Sequence, residues 1–121
     1  MSDKPLSERL QVRKGRTLAI VNAPAGLAED TGLEATAGAS DADVVLSFVT
    51  NRAGLEHYLS GIGGATRADS ILWVAYPKLT SPLAADVNRN LVHELSPAHG
   101  LDTVAQVAVD ADWSAMRLKR L

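Results

Sequence analysis

The chain has 121 residues, no cysteine and a formal net charge of −2 at neutral pH. That length suits one domain spanning 1–121, large enough to bury about two-thirds of its unfolded surface without staples. The absence of cysteine excludes a disulfide scaffold, a thiolate zinc site and a cysteine nucleophile.

Pro5 opens a short helix over 4–10, with Leu6 and Leu10 on one face. The run 17–22 reads as a central strand, closed by the breakers Ala23-Pro24-Ala25-Gly26. Residues 33–37 offer a weak edge strand and 38–41 a loop. The near-continuous apolar runs 42–49 and 71–76 predict strands buried on both faces, the mark of a parallel α/β sheet. Thr50 stands where an N-cap belongs, ahead of a helix over 51–61 with Leu55, Tyr58, Leu59 and Ile62 on one stripe. Gly61-Ile62-Gly63-Gly64 then reads as a helix stop; a phosphate loop would follow a strand and open a helix. Ser81, with Pro82 behind it, predicts a second helix carrying Leu83, Val87, Leu91 and Leu95. The runs 103–109 and 113–119 flank Asp110-Ala111-Asp112 as an antiparallel hairpin. Only about ten residues separate the first strand from the weak second one, near the minimum for a parallel crossover, so the sheet is a truncated doubly wound design.

In such sheets ligands meet the carboxyl ends of the strands. Asn22, Thr50, Asn51, Arg52, Tyr76, Lys78, Thr80 and Ser81 all fall there and form the candidate ligand-binding set. Free N–H groups at helix starts, together with the Lys78 ammonium, suit a phosphate or carboxylate. Plain structural roles compete: Thr50 and Ser81 would cap helices, Lys78 and Arg52 would be solvated, Asn22 would serve a turn, and Tyr76, like Trp113, would pack in the core or at its rim. His57, His93 and His99 lack metal-site spacing, and no metal is expected. Ser47 sits inside an apolar strand and is expected to be buried and hydrogen-bonded, with no nucleophile elbow around any serine. Asp110 and Asp112 suit a turn. With no general base in evidence, a non-catalytic module binding a small anionic ligand or a protein partner leads. The alternative is an enzyme acting on a small phosphorylated or carboxylated substrate, with Lys78 and Tyr76 as its polar actors.

Charge is uneven along the chain. Residues 1–16 and 113–121 each carry +3, whereas 17–112 carry −8. A dense phosphate-binding face is absent, which argues against nucleic acid as a partner. No apolar run approaches the roughly 18–20 residues of a membrane span, so the expectation is a cytoplasmic protein without a membrane partner. The last hairpin strand could pair across a two-fold edge in a homodimer.

Several segments resemble class I methyltransferases: the run Arg13-Lys14-Gly15-Arg16-Thr17 ahead of the first strand, the strand at 42–49, the glycine-rich approach to 71–76, and the final hairpin. More closely, Asn22-Ala23-Pro24, Leu72-Trp73-Val74-Ala75-Tyr76-Pro77-Lys78 and Trp113-Ser114 resemble a family of small bacterial proteins catalogued as a domain of unknown function. The resemblance implies a truncated Rossmann/methyltransferase-like sheet, mostly parallel, with helices on both faces and a C-terminal antiparallel hairpin. It implies six strands in the order 2-1-3-4-6-5. Methyltransferases turn from their first strand through Gly-x-Gly to admit S-adenosylmethionine; here the place reads Asn22-Ala23-Pro24-Ala25-Gly26. Glu34, the nearby carboxylate, sits at the wrong end of its segment to meet a ribose. No cofactor is therefore expected, and methyl transfer is not the favoured activity.

Overall fold

Three apolar runs form the middle of the sheet. The computed structural model describes residues 5–12 and 15–121. Leu18–Val21 (β1), Val44–Phe48 (β2) and Ile71–Pro77 (β3) lie side by side in parallel, with Val44 opposite both Leu18 and Ile71. β2 is buried at every position, as a strand covered on both faces must be. Trp113–Arg120 (β5) runs antiparallel to β3, and Leu101–Ala108 (β4) runs antiparallel to β5 at the sheet's edge. The order is β1-β2-β3-β5-β4. The expected C-terminal hairpin is present, as is the expected order once its second strand is removed.

Helices cover both faces. Arg52–Ala65 (α3) and Arg89–Leu95 (α4) bury Leu55, Leu59, Ile62 and Val92 against Val45, Val74 and Met116. On the opposite face Leu6–Arg9 (α1) and Leu27–Thr31 (α2) bring Leu6, Leu10 and Leu27 onto Leu46, Trp73 and Ala75. The Trp73 indole N–H donates to the Leu10 carbonyl at 2.9 Å, tying the end of α1 to the sheet. Phe48 and Trp113 meet edge to face, ring centres 5.2 Å apart, so Trp113 is a core residue.

Four local expectations are corrected. Residues 33–37 are not a strand: Leu33 packs into the core while Thr36 and Ala37 hydrogen-bond to β1 through Leu18 alone. The Thr36 and Ala37 N–H groups donate to the Leu18 carbonyl, and the Thr36 hydroxyl accepts from the Leu18 N–H at 3.0 Å. One residue of contact makes a tether, not a ladder. Asn51, not Thr50, caps α3; its Oδ1 accepts from the Gly54 N–H at 2.7 Å. The helix does not stop at Gly61 but runs on to Ala65. Burial of Ile62 outweighs the poor propensity of the glycines. Thr66 and Arg120 hold its far end, Thr66 Oγ1 donating to the Ile62 carbonyl and Arg120 to Thr66 Oγ1.

Ser81 caps no helix. Its hydroxyl donates to Asp112 Oδ1 at 2.9 Å and accepts from the Leu83 N–H, a local turn that competes with helix formation. The helix begins instead at Arg89, where Asn88 Oδ1 accepts from the Leu91 N–H. Leu83, expected on the buried stripe, is half exposed, whereas Val87 is fully buried. Lys4, Arg13 and Lys14, part of the basic N-terminal run, lie outside the described residues. Among the described residues no helix is long and apolar enough to cross a membrane.

Candidate functional site

Because β1, β2 and β3 run parallel, Asn22, the Thr50-Asn51 pair and Lys78 all leave the sheet along one edge. Asn22 takes a left-handed conformation with φ 58°, which asparagine tolerates better than most residues, and is exposed at the end of β1. Two N–H groups at the α3 N-terminus are already bonded within the protein. Asn51 holds the Gly54 N–H, and Asp86 Oδ1 accepts from the Arg52 N–H at 2.7 Å. A carboxylate from the β3–α4 loop thus occupies the place where an external anion was expected.

The other members of the set divide. The Arg52 guanidinium pairs with Glu56 at 2.9 Å on the exposed face of α3. Lys78 is half-buried, its N–H donating to the Asp112 carbonyl at 2.8 Å. With the Ser81–Asp112 bond this pins the β3–α4 loop to the turn between β4 and β5. Asp110 Oδ1 completes that turn by accepting from the Asp112 and Trp113 N–H groups. Thr80 is exposed. Tyr76 is buried, and its hydroxyl accepts from Gln106 Nε2 at 3.2 Å. Burial raises the Tyr76 pKa to about 12, partly offset by the Arg89 charge.

Beneath the same edge, between α3 and the ends of β1 and β2, lies a cavity of about 450 Å³. Its origin is visible in the α3 sequence. Gly54, His57, Tyr58, Gly61 and Ala65 recur at helical spacing on the stripe that lines it. Three of those five are too small to fill the space. A Cβ on Gly61 would meet nothing within 4 Å, while one on Gly54 would come within 3.2 Å of Asn51 Oδ1, so Gly54 also serves the cap. Val21 and Asn22 form the β1 wall, and Ser47 through Thr50 the β2 wall.

The cavity brings Asn22 and Thr50 together from the expected set; Asn51, Arg52, Tyr76, Lys78, Thr80 and Ser81 do not line it. It adds two residues that sequence pattern had assigned to the core. Ser47 is buried, 2% exposed, yet its hydroxyl has no partner among the described residues, contrary to the expected hydrogen bond. The Tyr58 hydroxyl is likewise buried and unpartnered. Burial raises the Tyr58 pKa well above the ordinary phenol value, and the Arg120 charge offsets part of that rise. One signal was available in the sequence. Ser47 shares strand parity with Val45 and Val49, so it had to face the helix stripe carrying Tyr58.

No family model and no curated protein sequence matches this chain. Among solved structures, LaPhzM superposes with a TM-score of 0.54 at 17% identity, over 96% of this chain and 46% of LaPhzM. LepI in complex with SAM gives 0.51 at 15% identity, over 96% of this chain and 39% of LepI. A TehB-like SAM-dependent methyltransferase from Corynebacterium glutamicum gives 0.49 at 12% identity, over 86% and 67% of the two chains. This chain spans less than half the length of LaPhzM or LepI. At these identities the likeness is one of fold. The protein has a methyltransferase-like α/β fold, with a mixed five-stranded sheet and a C-terminal antiparallel hairpin.

That fold implies S-adenosylmethionine, and the residues present do not fit it. The turn after β1 runs through left-handed Asn22 and through Pro24, which lacks an N–H; it reaches only the five-residue α2. Residues 22–43 contain no strand beside β1, so no strand end there presents a carboxylate to a ribose. Among the described residues no group of three His, Cys, Asp or Glu is placed to hold a metal ion.

Proposed function

We propose that this chain is a non-catalytic methyltransferase-like module that binds a small molecule in the cleft between α3 and the carboxyl ends of β1 and β2. The single observation behind this is a cavity of about 450 Å³ with a largely apolar wall, opened by the small residues Gly54, Gly61 and Ala65 of α3 and edged by Asn22 and Thr50. A pocket of a few hundred Å³ with an apolar body and a few convergent polar groups is the usual form of a small-ligand site. The proposed site moves away from Lys78 and Arg52, because the α3 N-terminus is held by Asp86 and Arg52 is held by Glu56. Catalysis is not favoured. Among the described residues the cavity wall carries no lysine or carboxylate, its one imidazole, His57, is exposed on α3, and burial holds the Tyr58 proton in place.

Gly61→Leu tests the site directly, since the new side chain enters open space on the cavity wall. Compounds that shift amide resonances of β2 and α3 in the wild-type protein are expected to lose that effect in the variant. Binding that survives Gly61→Leu unchanged, with shifts confined to other surfaces, overturns the proposal.

A further inference from the structure

The two edges of the sheet are finished differently. At one, the N–H and carbonyl of Leu18 in β1 are taken up by Thr36 and Ala37, so the chain itself covers that short strand. At the other, β4 makes no backbone bond on its outer side among the described residues. β5, the last strand, is bonded to both β3 and β4, so the two-fold edge expected of it falls to β4. A strand with one unpaired row of N–H and C=O groups is a template for another strand.

Proteins usually blunt such an edge with lysine, with proline or by keeping the strand very short. β4 runs for eight residues with neither lysine nor proline. Its one irregularity, the bulge between Thr103 and Ala105, leaves Ala105 to Ala108 in regular register with β5. The segment Thr103-Val104-Ala105-Gln106-Val107-Ala108-Val109 contains no charged residue and no glycine, and three of its seven residues are valine. Val104, Ala105, Gln106 and Ala108 are exposed, Val104 at 48%.

We infer that β4 pairs antiparallel with β4 of a second copy of this chain, joining the two sheets into one across a two-fold axis near Gln106. The choice of occupant follows from charge. An edge that receives a foreign strand can carry any charge its guest complements, whereas an edge that receives itself must avoid opposing like charges. An axis at Gln106 sets residues 103–109 against themselves, and none of the seven is ionised. A contact one strand wide belongs to the weak class of interfaces. It lies away from the cleft beside β1 and β2, so neither reading depends on the other.

Sedimentation of the wild-type chain across a concentration series reads the association, and hydrogen exchange at each concentration locates it. A monomer–dimer equilibrium is expected, with the β4 amides exchanging more slowly as the dimer fills. Gln106→Lys and Gln106→Glu each set like charges face to face at the axis, and each is expected to weaken the dimer at least about tenfold. An equal mixture of the two variants is expected to recover it, since lysine then meets glutamate. Amide spectra report whether each variant is folded, and the exchange measurement on the wild-type chain needs neither. A wild-type chain that stays monomeric up to about 1 mM overturns the inference and leaves the edge to a strand of another protein. A dimer whose β4 amides exchange at one rate at every concentration overturns it too. So does a dimer that both charge variants leave intact, or a mixture no tighter than its components.

Discussion

The glycines of α3 offer a sharp test of the fold. Gly61 and Gly63 lie inside the helix, and a Cβ built on either would meet nothing within 4 Å. Glycine in a helix interior is less favourable than alanine by roughly 0.5–1 kcal/mol, because the unfolded chain loses more backbone freedom. Gly61→Ala with Gly63→Ala is therefore expected to stabilise the protein by about 1–2 kcal/mol. For a chain of 121 residues the unfolding entropy is roughly 250 cal/mol/K, so the double variant gains about 4–8 °C in Tm. Thermal unfolding followed by circular dichroism reads this shift, and urea unfolding with an unchanged m-value shows that the gain is one of stability. A Tm that stays put or falls refutes the reasoning. It would mean that the helix ends near residue 60, where the glycine cluster first suggested, and that the cavity wall at Gly61 is built differently.

Acid should weaken the amino edge of the sheet. Asp43 accepts from the Thr17 N–H at 2.9 Å and from Arg67 at 2.6 Å, and these bonds hold its carboxyl below the usual carboxylate range. Its contribution is present above about pH 4 and lost as the pH falls through the depressed native value. Asp43→Asn keeps an acceptor but loses the titration, so its stability deficit against wild type should shrink below about pH 4; a constant deficit would contradict this. Alkali acts through the only two tyrosines, both raised by burial, Tyr76 to about 12. Because an unfolded phenol titrates near about 10, their stabilisation is full below that pH and declines towards pH 12. Tyrosinate absorbance should stay low at about pH 11 while the protein is folded, and a full rise near pH 10 without unfolding would rule out the burial. Trp73→Phe removes the bond to the Leu10 carbonyl and leaves a small void, and is expected to cost about 2 kcal/mol by urea unfolding. An unchanged midpoint would show that α1 is not docked through Trp73.

The apolar runs settled much of the architecture in advance. Strands with almost no polar residue, as at 44–48 and 71–77, can exist only under helices on both faces, so a parallel α/β core followed from composition and alternation. The hairpin followed from two β-prone runs around Asp110-Ala111-Asp112, and the stripe Leu55, Leu59 and Ile62 followed from helical spacing. These are short-range signals. What lay beyond them depends on partners distant in the chain. Asp86 reaches across 34 residues to the Arg52 N–H and fills the helix start, and Ser81 bonds Asp112, 31 residues away, in place of capping a helix. The length of α3 was decided by burial of Ile62 against the sheet, a gain that local glycine propensity does not register. The cleft is likewise a product of packing. Small residues on one stripe of α3 became a cavity only when that stripe was laid over the ends of β1 and β2.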